Sequence, residues 1–147
     1  VMAELMADDP PPFLEPGSVF VPVPLHWRRR WLRGFDQGVL LATQLARSTG
    51  HAVLSTGLRR RRATAAQSAT AAPQRRRALR GAFTARRGNL PQSLVLVDDV
   101  ATTGATLTAA VSACRAGGAE AVHVWVFART HSTTDRTRSP RKTAPGP

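Results

Sequence analysis

Two adjacent carboxylates follow an apolar run in the stretch LVLVDDVATTGAT, residues 94–106. Asp98 and Asp99 end the run, and residues 102–106 form a polar turn around a glycine. Carboxylates accept hydrogen bonds from hydroxyl groups and hold a hydrated Mg²⁺ indirectly. The N–H groups and hydroxyls of a turn at a helix N-terminus suit a phosphate.

Carboxylates repel phosphate. If the acids and the turn bind one ligand, they must therefore bind different parts of it. A ribose 5-phosphate unit, with a phosphate at one end and hydroxyls at the other, meets that need. The ordinary alternative is that the acids only cap a helix and that the polar residues only make a turn. The residue types alone leave both interpretations open.

The surrounding pattern predicts a βαβ unit. Leu94–Val97 is a continuous apolar run typical of a strand buried on both faces. Gly104–Ala116 has helical spacing that ends at a glycine pair, and residues 122–127 alternate as a strand does. This order favours a right-handed crossover in a parallel sheet, where ligands bind at the carboxyl ends of the strands.

The first half of the chain continues this α/β pattern. We predict strands over Ser18–Pro24 and Ala52–Thr56, and a helix over Phe35–Arg47 with Asp36 as N-cap and Gly50 as its stop. A short strand is predicted around residues 82–84. Residues 1–17 read as an irregular segment with a short helix at its start, residues 18–129 as the domain, and residues 130–147 as a disordered tail.

Length, net charge and cysteine content limit the classes of protein to which the chain can belong. The chain has 147 residues, one domain's worth, and a formal net charge of +12. This charge favours a polyanionic partner, although arginine-rich codon usage would also produce it. The single cysteine excludes an internal disulfide framework. No apolar run approaches the roughly 20 residues of a membrane span, so we expect no membrane insertion and a soluble, cytoplasmic protein.

A basic connection over residues 59–92 is long for a compact domain. It carries ten arginines among Ala, Thr, Gln and Ser, with little apolar periodicity. Connections of this length are typical of lids and binding loops, but a solvated or disordered basic loop has the same composition.

Three stretches resemble a known family. LVLVDDVATTGAT resembles the phosphoribosyl pyrophosphate signature of type I phosphoribosyltransferases. VPVPLH followed by RGFDQ resembles one branch of these proteins, the competence-associated ComF family. The spacing of Arg62, Thr64 and Gln67, and of Arg75 and Phe83, is similar to that branch, and the resemblance covers residues 19–129.

The resemblance implies a type I phosphoribosyltransferase fold, a mostly parallel sheet flanked by helices with a flexible basic loop. It implies ribose contacts and indirect Mg²⁺ binding by Asp98 and Asp99, a pyrophosphate loop with Leu25, His26 and Arg33, and a mobile lid over residues 59–80. Asp98, Asp99 and Arg33 would be the catalytic residues. The implied 5-phosphate loop comprises Ala101, Thr102, Thr103, Gly104, Ala105 and Thr106.

Three departures from the family pattern stand out. Asp36 replaces the usual Asn, and Ala78 replaces an Asn of the lid pattern. The 147 residues contain a single cysteine, Cys114, and so do not include the four-cysteine zinc module that often precedes this domain.

Two functions from different classes remain open. The first is Mg²⁺-dependent transfer of a phosphoribosyl group from phosphoribosyl pyrophosphate to an unknown nitrogen acceptor, such as a nucleobase-like compound. The second is a non-catalytic accessory role in competence or DNA uptake, with the arginines on single-stranded DNA or competence machinery. An inactive fragment is a third alternative, and the sequence leaves a homo-oligomer open.

Overall fold

The structure, a computed structural model, describes residues 2–24, 36–61, 81–85, 87–101 and 104–129. The helices and strands in chain order are α1 (Met2–Ala7), β1 (Val19–Pro22), α2 (Gln37–Thr49), β2 (Ala52–Val53), β3 (Arg59–Arg60), β4 (Phe83–Thr84), β5 (Ser93–Ala101), α3 (Ala105–Ala116) and β6 (Ala121–Arg129).

Four strands form a parallel sheet in the order β2-β1-β5-β6. The crossover helices α2 and α3 connect β1 to β2 and β5 to β6. A separate antiparallel ribbon pairs β3 with β4. The expected α/β fold, with a mostly parallel sheet between helices, is confirmed.

Alternation along β5 divides the core between the two faces of the sheet. Leu94 and Leu96 pack with residues of α3 and of the β3–β4 ribbon. Val95 and Val97 pack with residues of α1 and α2 on the opposite face. All four are at most 1% exposed, because successive side chains of a strand point to opposite faces and both faces are covered.

The strand that carries the acids is longer than the sequence predicts. β5 runs to Ala101 instead of ending at Val97, so Asp98 and Asp99 lie within the strand and not in a loop after it. Pairing with β6 explains the difference, since Asp98 is opposite Val126 and Ala101 is opposite Arg129. The ladder with β6 outweighs the low strand propensity of aspartate.

The helices lie close to their predicted limits. α2 ends in Gly50, whose φ of 74° is the left-handed conformation typical of a helix stop. β1 and β2 are shorter than predicted, and β6 is longer. The ribbon contains the expected strand near residues 82–84, and it also contains Arg59 and Arg60, the first residues of the predicted lid. Residues 62–80 and 130–147 lie outside the described part of the chain.

The N-terminal segment crosses the sheet at the amino ends of the strands. The Phe13 ring stacks on His123 of β6, with ring centroids 4.7 Å apart. Two residues later, the carbonyl oxygen of Glu15 lies 3.1 Å from Nε2 of His51, just before β2. The predicted short helix, α1, is present and buries Ala3 and Met6 against α2. These contacts connect the two edges of the sheet.

Candidate functional site

The acid pair lies at the carboxyl end of β5, next to the first turn of α3. Both carboxyl groups are half-buried. The Asp98 side chain has the same parity along β5 as Leu94 and Leu96, which places it on the face of the sheet that α3 covers. Sequence order predicted this edge of the sheet as the ligand-binding edge.

Backbone amides orient both carboxylates. The Asp99 N–H donates to Oδ1 of Asp98 at 3.0 Å, and the Val100 N–H donates to Oδ1 of Asp99 at 2.8 Å. Each carboxylate therefore has an oxygen fixed by the next amide along the chain. The second oxygen of each can accept from a ligand hydroxyl or hold a metal-bound water.

Burial raises the pKa of Asp98 to about 7, and the negative charge of Asp99 adds to this effect. The amide of Asp99 and the positive charge of Arg60 act in the opposite direction, because both favour the ionised carboxylate. The pair therefore gains its full negative charge only near neutral pH. A cation or a set of hydroxyl donors would be attracted to the ionised pair.

The turn after the acids begins α3 with a glycine. Gly104 is the N-cap of α3 and has a φ of 70°, a conformation that other residues rarely adopt. It offers no side-chain cap to the helix, and its carbonyl accepts from the Thr108 N–H at 2.9 Å. Ala101, the first residue of the predicted phosphate loop, is the buried last residue of β5. Thr102 and Thr103 lie outside the described residues.

The start of α2 differs from the start of α3. Oδ1 of Asp36 accepts from the Gly38 N–H at 3.1 Å and from the Val39 N–H at 3.4 Å. The predicted cap is confirmed, and it occupies amides that an anion would otherwise use. The predicted pyrophosphate loop before this helix, with Leu25, His26 and Arg33, lies outside the described residues.

Arg60 is a charged residue near the acids that the sequence did not single out. Its guanidinium lies over the Phe83 ring, 5.3 Å from the ring centroid, and its charge acts on Asp98. The sequence placed Arg60 among many arginines of a lid. Only the pairing of β3 with β4 distinguishes it, and that pairing joins residues more than twenty positions apart.

The acid pair can supply only part of the ligands that a metal ion needs. Among the described residues, no group of three or more His, Cys, Asp or Glu side chains could enclose a metal ion. Two carboxylates suffice for Mg²⁺ that keeps several water molecules and takes other oxygens from a phosphorylated ligand. Asp98 and Asp99 are the described residues that would hold such an ion, and the indirect binding expected from the sequence stays a prediction.

The phosphoribosyl transferase domain family matches residues 36–144 of this chain. The chain belongs to this family. Its relatives include the DNA utilization protein YhgH of Escherichia coli K12, which is 42% identical over 113 residues, 75% of this chain and 48% of that protein. Competence protein F of Haemophilus influenzae is 38% identical over 115 residues, 76% of this chain and 50% of that protein. These relatives confirm the resemblance to the ComF family.

The phosphoribosyltransferase domain spans about half the length of the curated relatives that it matches. Among solved structures, glutamine phosphoribosylpyrophosphate amidotransferase from B. subtilis in complex with ADP and GMP is similar, with a TM-score of 0.55 and 24% identity. The match covers 86% of this chain and 25% of that chain. A structure described as the allosteric regulatory enzyme of purine biosynthesis has a TM-score of 0.56 at 23% identity, covering 86% of this chain and 24% of that one. This likeness confirms the type I phosphoribosyltransferase fold.

Within the ranges given above, no helix of this phosphoribosyltransferase-like chain is long and apolar enough to cross a membrane.

Proposed function

We propose that this chain binds phosphoribosyl pyrophosphate with Mg²⁺ and transfers the phosphoribosyl group to a nitrogen acceptor, with release of pyrophosphate. The observation that carries the proposal is the acid pair of the signature LVLVDDVATTGAT, held at the carboxyl end of a buried parallel strand in a chain of this family. A cytoplasmic location and a nucleobase-like acceptor belong to the same proposal.

Each part of the signature has a role in this proposal. Asp98 and Asp99 accept hydrogen bonds from the two ribose hydroxyls, with the carboxylate orientation that the amides of Asp99 and Val100 give them. Residues 101–106 bind the 5-phosphate at the start of α3. Gly104 allows the backbone to turn toward the ligand without a side chain in the way. Leu25, His26 and Arg33 form the pyrophosphate loop.

The reaction exchanges one bond at C1 of the ribose for another. The bond from C1 to the pyrophosphate oxygen breaks and its electron pair leaves with pyrophosphate. The lone pair of the acceptor nitrogen forms the new bond, and the nitrogen then releases a proton to solvent. Positive charge develops on the ribose ring, and Asp98 and Asp99 stabilise it while they orient the ring. Arg33 neutralises the leaving group. Mg²⁺, if held by Asp98 and Asp99, would supply further positive charge to the phosphorylated ligand.

Calorimetric titration tests this proposal directly. Phosphoribosyl pyrophosphate with Mg²⁺ is titrated into the wild type and into an Asp98→Asn/Asp99→Asn double variant. We expect saturable binding to the wild type and at least a tenfold loss in the variant, because neutral amides neither attract the metal nor accept as strongly from hydroxyls.

A matched control is available elsewhere in the chain. Asp8 and Asp9 form a second adjacent acid pair, and both are exposed in the N-terminal segment. The Asp8→Asn/Asp9→Asn variant changes the net charge equally and is expected to bind as the wild type does. Equal losses in the two double variants, or a folded wild type that binds nothing, would argue against the proposed site.

A second candidate function is a non-catalytic role with DNA. It is favoured by the net charge of +12 and by relatives whose names refer to DNA utilization and competence. In this alternative the fold binds a nucleotide or serves as a scaffold, and the arginines contact the phosphates of single-stranded DNA. The salt dependence of DNA binding, discussed below, tests it separately from ligand binding.

A further inference from the structure

Arg60 differs from its neighbours in the basic connection by its fixed position. It pairs with Phe83 in the β3–β4 ribbon, while Arg59 pairs with Thr84. Beyond the last pair, the Arg61 N–H donates to the carbonyl of Ala82 at 2.7 Å. Backbone hydrogen bonds on both sides of Arg60 thus fix the direction in which its side chain leaves the strand.

The ribbon itself is anchored in the core. Phe83 is 4% exposed and Ala82 is fully buried, and both belong to the cluster that packs β5 against α3. The ribbon therefore has a defined position relative to the helix that follows the acid pair. The backbone from which the Arg60 side chain projects is therefore held in place by core packing.

The guanidinium of Arg60 packs on this buried part of the ribbon. It lies over the Phe83 ring at 5.3 Å from the centroid, a distance at which a cation and an aromatic face attract each other. Its positive charge favours the ionised form of Asp98 and so lowers the pKa of that carboxyl group. A planar guanidinium that stacks by one face still directs its N–H groups outward along its edge, which is the geometry that binds phosphate oxygens.

The neighbouring arginines lack this arrangement. Arg59 and Arg61 are exposed, whereas Arg60 is half-buried. Side chains alternate along a strand, so Arg59 and Arg61 leave the ribbon on the face opposite to Arg60. One arginine of the three therefore brings positive charge to the acid-pair site.

We propose that Arg60 is a further ligand-contacting residue of this site: held on Phe83 beside the acid pair, its guanidinium binds phosphoryl oxygens of the ligand whose hydroxyls Asp98 and Asp99 accept. This role rests on the proposed function and adds to it a contact from outside the signature. In this role Arg60 belongs to the fixed part of the site, although the sequence predicts it as part of the mobile lid.

Calorimetry with a matched pair of variants tests this role. Arg60→Gln and Arg59→Gln remove the same charge from adjacent positions on opposite faces of one strand. With phosphoribosyl pyrophosphate and Mg²⁺, we expect Arg60→Gln to weaken binding about tenfold or more, the usual effect of losing a hydrogen bond between charged groups. Arg59→Gln is expected to stay within about twofold of the wild type.

Two further probes locate the contact. Ribose 5-phosphate carries the 5-phosphate of the full ligand and inorganic pyrophosphate carries its diphosphate, and each is titrated together with Mg²⁺. The probe whose affinity falls in Arg60→Gln identifies the group that Arg60 binds. Unchanged affinity of Arg60→Gln for all three ligands would overturn the role. Tighter binding would overturn it too, because it would mean that Arg60 only competes with the ligand for the carboxylates of Asp98 and Asp99.

A variant of Phe83 provides a second test of the role in case Arg60→Gln fails to fold. Phe83→Leu keeps an apolar side chain in the core but removes the ring beneath the guanidinium, so binding should weaken in the same direction and by less. Melting curves of each variant show whether it is folded. A wild type that binds none of the probes would instead refute the proposed function, an outcome distinct from failure of Arg60 alone.

Discussion

Asp98 has two properties of different origin, its identity as a candidate ligand and its raised pKa. The first is visible in the sequence, because an acid pair after an apolar run and before a glycine turn is a local pattern. The second depends on how deeply the fold buries the carboxyl group and on where Asp99 and Arg60 lie, which are features of tertiary packing. The sequence therefore predicts the residue but not its ionisation.

The raised pKa makes stability depend on pH in a definite direction. Folded Asp98 keeps its proton up to about pH 7, whereas an unfolded chain releases it near pH 4. Between these values the folded state binds more protons, so the free energy of unfolding falls as the pH rises. Above pH 7 the folded protein bears the full cost of the buried charge.

Asp98→Asn should therefore stabilise the protein at high pH. We expect its melting temperature to exceed that of the wild type by about 3 °C or more at pH 8, the shift that roughly 1 kcal/mol produces in a domain of this size. The difference should shrink as the pH falls toward 4. Differential scanning calorimetry without Mg²⁺ measures both, with Glu120→Gln, which removes an exposed carboxyl group, as control. A constant difference at all pH values would contradict the shifted pKa.

At the scale of elements, local signals predicted the helices and the places of most strands, but not how far β5 extends or how β3 and β4 pair. Both long helices begin and end close to their predicted limits, because the glycines after them and the Asp36 cap before α2 act within a few residues. The extension of β5 to Ala101 and the formation of the β3–β4 ribbon depend on strands distant in the sequence. No periodicity within those stretches could have predicted them.

The Asp36 cap offers a quantitative test of one local signal. Asp36→Ala removes the acceptor for the Gly38 and Val39 amides, so we expect a loss of about 1 kcal/mol in the free energy of unfolding. Asp36→Asn keeps an oxygen at the same position and restores the residue usual in the family, and its loss should be only a few tenths of a kcal/mol. Urea denaturation compares the three proteins. Equal losses in both variants would show that the carboxylate charge matters, and not the capping geometry.

At the scale of the whole molecule, the positive charge is unevenly distributed. Eight of the nine acidic residues lie in the described parts of the chain, and Asp135 is the exception. The same parts contain seven of the 21 basic residues: Arg47, Arg59, Arg60, Arg61, Arg87, Arg115 and Arg129. The sheet and its helices are therefore close to neutral. The surplus comes from residues 25–35, 62–80, 86 and 130–147.

This distribution predicts where DNA would bind if the second candidate function holds. Neutralising Arg75, Arg76 and Arg77 to Gln should reduce the slope of log affinity against log salt by about 2 for single-stranded DNA, the contribution of three phosphate contacts. The control changes Arg47, Arg87 and Arg115, all exposed on the described part, to Gln. Fluorescence anisotropy at several salt concentrations measures both slopes. Equal slopes in the two triple variants would contradict this prediction, because they would mean that DNA binding depends on the number of arginines and not on their positions.

The N-terminal segment has a consequence for how the protein can be altered. Its contacts with His123 and His51 lie at the amino ends of the strands, and the acid pair lies at the opposite end of β5. Rigidity and ligand recognition therefore depend on separate groups of residues. An engineer could strengthen the packing of Phe13 or replace the histidines to change heat resistance while leaving specificity untouched, and could redesign the acid-pair end without loosening the opposite edge.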